Sequence, residues 1–397
     1  MVDYNESAEQ LMTPCLPKGD ALETYYMERM LDNFSASYKL YWFQGIMKEI
    51  IAGKQIIHFR TVIAQMLAAA WFPVIYYHLS LGYQDKMADI IHYANIGLEL
   101  PRETKKDDIV TFFERCDDKK LIKEMESLTK MVPTRLIRPF YEKQIKGYRQ
   151  AHVDFQEYKT DSLIRQLNDT NDDAVFYRID EKHGIISVSD HWAEYIRRNH
   201  TVIQGWLNYK LVQYLQRRNP SVPAIASKID PPMPEDRNLT DARKLWDDAG
   251  RNAEITDIYT GRRFNAANIT QLGGVSIDHF IPWSFVLHNE IWNLCPCFKV
   301  VNSSKSDQLP DLKTYLDVFC EQQFKMFITL KDEEKHKKMM QEYLAIKGDA
   351  MQLNDNTISH SSFTSALKNT IQPLYQIAIN QGYGTWTCDA KWMSKDN

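Results

Sequence analysis

The residues whose types and spacing are best suited to catalysis lie between Asp278 and Asn302. An acidic residue stands beside a histidine at Asp278-His279, and asparagines follow at Asn293 and Asn302. Carboxylate and amide oxygens are hard ligands, which suit Mg²⁺ or Mn²⁺ better than zinc. A neutral imidazole has a pKa close to working pH, so His279 can take a proton from a water molecule beside the ion. Together these residues predict a site that holds one divalent cation and deprotonates a water.

Short local elements must bring these residues together. Residues 275–277 form a β-branched run after a Gly-Gly turn, which predicts a strand that ends at the Asp-His pair. Neighbouring strand residues face opposite sides, so Asp278 and His279 share a site only if the strand bends there. On a helix, Asn302 would share a face with Lys305 and Ser306.

The segment 255–310 resembles the HNH nuclease family, also called the His-Me or ββα-metal finger. Residues 258–263 look like the small hairpin that often precedes the family motif. The points of match with the motif are Asp278, His279, Pro282, Ser284, Asn293, Leu294, Asn302, Lys305, Ser306, Asp307 and Pro310.

The resemblance implies a role for each matched polar residue. Asp278 and Asn302 would coordinate Mg²⁺ or Mn²⁺, and His279 would be the general base for the attacking water. Asn293 would fasten the loop and orient the catalytic site without reacting itself. Lys305 would either contact a phosphate or be a structural surface lysine. The implied reaction is hydrolysis of a phosphodiester that leaves a 5′-phosphate and a 3′-hydroxyl.

Each of these residues has an ordinary structural interpretation when it is taken alone. An isolated Asp-His pair is most often a hydrogen-bonded pair, and an asparagine before Ser-Ser, as at Asn302, is typical of a helix cap. The joint spacing favours the catalytic interpretation for four of the matched residues, namely Asp278, His279, Asn293 and Asn302. Trp283 and Trp292 gain nothing from that spacing and are expected to be packing residues.

The segment departs from the common family pattern in its cysteines. Many HNH proteins carry two Cys-x-x-Cys pairs for a structural zinc, whereas Tyr259-Thr260-Gly261 occupies the region of the first pair here. Cys295 and Cys297 alone make a poor tetrahedral zinc site. We therefore expect no structural zinc.

The charge of the chain limits how it could bind nucleic acid. The net charge is −4 and the pI is about 6.3, whereas a protein that binds duplex non-specifically is usually basic. Affinity for DNA would then come from a local basic surface or from a protein partner. The candidate substrate-binding residues are Arg262, Arg263 and Lys305.

Composition and patterning predict a mainly α-helical protein with a small α+β insert. The predicted segments are a helical domain at 1–155 for regulation or interaction, a β-hairpin with helices at 156–235 that could bind nucleic acid or a partner, the HNH domain at 236–330 and C-terminal helices at 331–397. A Pro-rich linker at 231–234 leads toward the finger.

Two further features bear on where the chain works. Its six cysteines are mostly scattered, which indicates free thiols in a reducing cytoplasm. The apolar run at 61–81 is interrupted by Gln65, Pro73 and His78, so we predict a buried helix broken near Pro73 and no membrane segment.

The sequence therefore favours a metal-dependent endonuclease acting on DNA, with a role in host defence or restriction suggested by association. Two alternatives stay open. One is an RNA-directed nuclease or a nickase that uses the same site. The other is a catalytically idle module for nucleic-acid binding or assembly. A protein partner or a homo-oligomer would be compatible with any of them.

Overall fold

A computed structural model gives the architecture of the chain. It describes residues 16–19, 22–32, 36–83, 85–152, 156, 159–169, 174–229, 238–346 and 358–393. The structure is 66% helical, with a few small sheets. The expectation of a mainly helical protein with a little β structure is confirmed.

The chain forms two compact units. Unit 1 comprises residues 1–220 and 228–230, and unit 2 comprises residues 221–227 and 231–397. The finer division into four segments stays a prediction. Its border residues 155 and 235, and the linker at 231–234, lie outside the described residues.

Unit 1 is built mainly from helices whose apolar residues recur at helical spacing. Its α-helices are α1 (Thr24–Arg29), α2 (Tyr38–Ile51), α3 (Phe59–Trp71), α4 (Lys86–His92), α5 (Lys106–Arg115), α6 (Lys119–Ser127), α7 (Val132–Ile137), α8 (Glu142–Ala151), α9 (Thr160–Asp169) and α10 (Asp190–Arg218). Helix α11 (Ile225–Ile229) follows at the boundary of the two units along the chain. Short 3₁₀ turns cover Leu128–Lys130 and Arg138–Tyr141.

A small antiparallel sheet adjoins the helices of unit 1. Strands β2 (Arg178–Asp180) and β3 (Ile185–Ser187) pair within the segment for which the sequence predicts a hairpin. Strand β1 (Ile56–His58) pairs with the other edge of β3 and was not predicted. The Ser189 side chain then caps α10 by accepting from the backbone N–H of Trp192.

The apolar run around Pro73 forms a buried helix that changes character at the proline. Helix α3 passes into a π-helix at Phe72–Tyr76, in which the N–H of Tyr77 donates to the carbonyl of Phe72. Proline lacks an N–H and its ring crowds the preceding turn, and the wider π turn accommodates it. Residues 59–76 are long and apolar enough to cross a membrane, but 67% of the segment is buried within the protein. The prediction of a buried helix interrupted near Pro73 is confirmed.

Unit 2 contains the finger and the helices around it. Its α-helices are α12 (Thr240–Asn252), α13 (Ala266–Leu272), α14 (Trp283–Val286), α15 (Lys299–Lys305), α16 (Leu312–Leu330), α17 (Lys337–Met340) and α18 (His360–Asn380). Its strands are β4 (Val275–His279), β5 (Leu294–Phe298), β6 (Leu309–Pro310) and β7 (Thr385–Trp386). The 3₁₀ turns are Ile291–Asn293, Glu334–His336, Gln341–Ala345 and Ala390–Trp392.

Two helices of unit 2 hold the β4–β5 hairpin in place. The Arg243 guanidinium of α12 donates to the carbonyl of Val275 at 2.6 Å. On α16, the Gln323 amide donates to the carbonyl of Leu294 at 2.7 Å, and Phe319 stacks on Phe280 with ring centroids 4.2 Å apart. Strand β4, which carries Asp278 and His279, and its partner β5 are therefore held by contacts from outside the finger itself.

Candidate active site

The predicted site residues lie on a ββα arrangement made of β4, β5 and α15. Gly273 ends α13 with φ +78°, a conformation that glycine adopts without strain, and its position lets the chain turn into β4. Strands β4 and β5 pair antiparallel, with Asp278 opposite Cys295 and His279 opposite Leu294. Helix α15 follows β5 directly and packs against both strands.

The Asp278 carboxylate is buried and held by two donors. It is 4% exposed, and it accepts from the Tyr259 hydroxyl at 2.6 Å. The Lys305 ammonium lies 3.1 Å from each of its oxygens. Burial raises the pKa of Asp278, and the hydrogen bonds and charge of Lys305 and Tyr259 oppose that rise. A buried carboxylate needs such partners to stay ionised.

Asn302 lies on the same side of β4 as Asp278. Its amide nitrogen donates to the Ser276 hydroxyl at 2.9 Å. Ser276 and Asp278 are two residues apart on the strand and therefore share a face, roughly 6.5–7 Å apart along it. Because Nδ2 is used as the donor, Oδ1 is the atom of Asn302 that could bind a cation.

The His279 imidazole is fixed by a residue of the following loop. Its Nε2 lies 3.0 Å from Oδ1 of Asn289. An amide oxygen only accepts, so Nε2 donates and the neutral ring carries its lone pair on Nδ1. The arrangement therefore selects Nδ1 as the basic nitrogen of His279.

The expected bend between Asp278 and His279 is wrong. The β4–β5 ladder continues through both residues, and the chain bends after them at Phe280 and Ile281. The two side chains therefore leave the strand on opposite faces, one toward α15 and Tyr259 and the other toward Asn289. The pairing of His279 with Leu294 on β5 is the physical reason, since it keeps the backbone extended to that point.

Asn293 fastens the segment that follows β4. It is fully buried, accepts from the N–H of Ile281 at 2.8 Å and donates to the carbonyl of the same residue at 2.9 Å. Its own carbonyl accepts from the N–H of Phe280 at 2.8 Å. These contacts close the loop between the two strands.

Lys305 is neither a surface lysine nor, in this structure, a side chain that faces a substrate. It is fully buried, and its ammonium donates to Asp278 and to the carbonyl of His279 at 2.8 Å. A lysine in the interior requires an anion, and Asp278 supplies it. Lys305 is therefore found neither at the surface nor in position to contact a phosphate, but in a buried ion pair.

The two arginines predicted to bind substrate are engaged with the protein. Arg262 donates to the Gln271 side chain at 2.8 Å and to the carbonyl of Met393 at 3.0 Å. Arg263 is mostly exposed and forms an ion pair with Glu254 at 2.5 Å. Arg262 ties the hairpin to neighbouring segments, whereas Arg263 remains on the surface.

Asp257 organises the hairpin where zinc-binding cysteines stand in many HNH proteins. Its buried carboxylate accepts from the backbone N–H groups of Tyr259, Thr260 and Phe298, at 2.7–3.0 Å. Burial raises the pKa of Asp257 to about 6, and the three N–H groups oppose this rise. Cys295 and Cys297 are buried thiols whose pKa burial raises well above the usual value, which disfavours the thiolate form that binds zinc.

A second group of metal-ligand types lies elsewhere in unit 2. Ligand atoms of Asp248, Glu333 and His336 lie within 4.8 Å of one another. Lys335 and Arg251 also form ion pairs with Asp248, each at 2.7 Å. Two cations already neutralise the carboxylate, so an ion-pair cluster accounts for this group.

Sequence reasoning missed three residues that hold the predicted set. Tyr259 lies in the recognised hairpin and Asp257 directly before it, but only the fold brings them to Asp278 and to the start of α15. Asn289 lies four residues before Asn293, and no part of the motif points to it. Asn289 stands between His288 and Glu290, so nothing in the sequence singles it out.

The fold and the site define a ββα finger with a buried aspartate and a histidine held by Asn289. Of its two asparagines, Asn293 is structural, and Asn302 has an amide oxygen that could bind a cation. Residues 257–311 match the family described as HNH endonuclease, which confirms the resemblance for that segment. No curated protein and no solved structure matches the chain. An HNH segment indicates a nuclease-type function and nucleic-acid binding, and HNH nucleases typically depend on a divalent metal.

The contacts of Asn293 predict a stability effect. Asn293→Ala leaves the buried N–H and carbonyl of Ile281 without partners, so we expect the free energy of unfolding of unit 2 to fall by about 2–3 kcal/mol. Urea unfolding followed by tryptophan fluorescence measures this change. The matched control is Asn252→Ala, an exposed asparagine at the end of α12, which should change the free energy of unfolding by less than about 0.5 kcal/mol. Equal effects of the two variants would contradict the anchoring role.

Proposed function

We propose that the protein is a Mg²⁺- or Mn²⁺-dependent HNH endonuclease that hydrolyses phosphodiester bonds of DNA. The observation that carries the proposal is the placement of Asp278 and Asn302 on one face of β4, with the next residue, His279, held by Asn289. The Cα atoms of Asp278 and His279 are neighbours, about 3.8 Å apart. Because their side chains leave β4 on opposite faces, we place the scissile phosphate across the end of the strand, between the two groups.

The donor set fits a hard divalent ion. Asp278 supplies a carboxylate, and Asn302 can supply Oδ1 because its nitrogen is bound to Ser276. When bound there, the ion would polarise a phosphate oxygen and stabilise the charge of the transition state. The Lys305 ammonium already offsets one negative charge, so the ion would bind weakly without the added charge of a phosphate.

The remaining residues position the base and the site. Nδ1 of His279 would accept the proton of the attacking water, because Nε2 donates to Asn289. Asn289 thereby sets the tautomer and orientation of the ring. Asn293 keeps the loop closed, and Tyr259 fixes the rotamer of Asp278. Asn289 and Tyr259 are therefore positioning residues.

DNA is proposed as the substrate because the family resembled here acts mainly on DNA. The acidic net charge of −4 argues against unspecific duplex binding and favours access that is controlled by recognition or by a partner. A role in host defence, in the cytoplasm, is compatible with this control. One finger cuts one strand per visit, so cleavage of both strands would need two copies or two events.

Loss of the base provides the direct test. We expect His279→Ala to lower the rate of DNA cleavage by about 10²–10⁴-fold, because the attacking water loses its proton acceptor. The measurement uses supercoiled plasmid, linear duplex, single strands and RNA, each with Mg²⁺, Mn²⁺ or chelator. His360→Ala is the matched control, an exposed histidine of unit 2 that pairs with Glu321.

The outcomes separate the alternatives. Cleavage of RNA alone would replace the DNA substrate, and nicked plasmid without linear product would indicate a nickase. Cleavage that is unaffected by His279→Ala would remove the assignment of the base. DNA binding without cleavage of any substrate would support the idle binding module.

The hydroxyl of Tyr259 gives a second prediction. Tyr259→Phe removes one donor to Asp278, so the carboxylate is less well oriented, and we expect the Mg²⁺ concentration for half-maximal cleavage to rise by about tenfold or more. The measurement is cleavage rate against Mg²⁺ concentration. The rate at saturating Mg²⁺ should change less than the half-maximal concentration.

A neighbouring tyrosine provides the control for this variant. Tyr315 packs against the Tyr259 ring, and its hydroxyl accepts from the N–H of Cys388 rather than from any site residue. Tyr315→Phe should leave the Mg²⁺ dependence unchanged. An unchanged Mg²⁺ dependence in Tyr259→Phe would show that Asp278 is not a metal ligand or does not need this support.

A further inference from the structure

Unit 1 contains a cavity of about 990 Å³ that belongs to no part of the nuclease motif. Its walls come from the start of α2, the loop before α4, the segment joining α6 to α7, the start of α9 and the end of α10. These segments span the chain from Ala36 to Arg218. The volume is at the upper end of the range for small-molecule sites in proteins.

The lining of this cavity is strongly cationic. Six basic side chains and two acidic ones, Asp85 and Asp161, line it. The difference, 6 − 2, is a formal charge of +4. The basic side chains are Lys39, Lys86, Lys130, Arg135, Arg138 and Arg218.

The two carboxylates serve neighbouring groups of the protein. Asp85 accepts from the N–H groups of Ser37 and Met87 and from the Ser37 hydroxyl, and it is buried. Asp161 accepts from Thr134 at 3.1 Å and from Arg135 at 3.3 Å. Asp161 thus offsets Arg135, and Lys86 lies 3.8 Å from the Glu124 carboxylate, but basic side chains still outnumber acidic ones around the cavity.

Lys39 shows that the cations act on one another. Burial lowers the pKa of Lys39 to about 8, and the charges of Arg138 and Arg135 lower it further in the same direction. Like charges held this close are unfavourable, and an anionic ligand would relieve the repulsion. A second cavity of about 540 Å³ shares Lys39 and Arg138. Its other charged lining residues are Arg29, Lys146 and Arg149 against Asp32 and Glu142, so basic side chains are in excess there too.

Tyrosines complete the lining. Tyr38, Tyr83 and Tyr214 all border the cavity, and the Tyr83 side chain is fully exposed. The hydroxyls of Tyr38 and Tyr214 bind backbone groups of the same loop, at Lys86 and Leu81. An exposed flat ring beside basic groups is suited to stacking with a base.

We propose that this cavity binds a small polyphosphorylated molecule of nucleotide size. Arginine and lysine recognise phosphate through charge-assisted hydrogen bonds, and several of them around one cavity favour a ligand with more than one phosphate. Tyr83 would contact the base. The cavity is partly open to solvent, and its volume fits a nucleotide-sized ligand, whereas an extended strand of nucleic acid would follow a longer groove.

Direct binding to the full chain tests the proposal. The probes are ATP, GTP and inorganic triphosphate, and their binding is measured by isothermal titration calorimetry. The buffer contains EDTA, which prevents metal-bound nucleotide from associating with the finger. Short single-stranded DNA and RNA are titrated in parallel. We expect saturable binding of at least one triphosphate, and weakening of about tenfold or more in Lys39→Gln/Arg138→Gln.

Two further variants keep the result interpretable. Lys130→Gln changes an exposed cation at the rim, where the fold does not depend on it, and should also weaken binding. Arg197→Gln changes an exposed arginine of α10 outside the lining and should leave the affinity unchanged. Thermal unfolding of each variant verifies that the fold is retained.

Three results would overturn the proposal. The first is the absence of binding by every triphosphate, and the second is equal affinity of the wild-type protein and both cavity variants. The third is binding of oligonucleotides, sensitive to these variants, with no binding of triphosphates. That third result would assign the surface to a nucleic-acid strand.

Discussion

The buried ion pair between Asp278 and Lys305 is the interaction on which the finger depends. It joins the end of β4 to the last residue of α15, and the same ammonium binds the backbone at His279. Removal of one member of a buried pair leaves an uncompensated charge, at a cost of about 3–5 kcal/mol. The same contact therefore fixes the fold of the finger and the orientation of the carboxylate that would bind a metal.

Besides this ion pair, other buried side-chain contacts hold the finger in shape. Asp257 binds three backbone N–H groups across the hairpin and the start of α15, and Asn293 binds both backbone groups of Ile281. These contacts connect the hairpin before β4, the segment after β4 and the start of α15. Because the donors and acceptors are buried, each of these hydrogen bonds is costly to lose. Helices α12 and α16 then support the hairpin from outside.

Unit 1 differs from the finger in that its charged side chains gather around a cavity. Its aromatic core is apolar, with Trp42, Trp71 and Trp192 fully buried, whereas the cavity of about 990 Å³ gathers basic side chains from widely separated segments. A concentrated positive charge in an acidic protein is a local feature, since the net charge of the chain is −4. Recognition of an anion by unit 1 and hydrolysis of an anionic polymer by unit 2 would both rely on compensation of phosphate charge.

The types and the order of the site residues could be read from the amino-acid sequence alone. The spacing of Asp278, His279, Asn293 and Asn302 indicated the finger, and composition and patterning indicated a mainly helical protein, because both signals depend on neighbours along the chain. The interrupted helix near Pro73 followed from the covalent geometry of proline. Its exact form, a π turn, depended on the packing around it.

Which of these groups contact one another depends on the folded chain. Tyr259 and Lys305 reach Asp278 from 19 and 27 residues away, Asn289 fixes the tautomer of His279, and β1 joins a hairpin more than a hundred residues later in the chain. The buried state of Lys305, and the continuation of β4 through His279, likewise follow from packing and pairing. Contacts between distant segments leave no periodic trace in a single sequence, which is why the motif could be recognised while its partners could not.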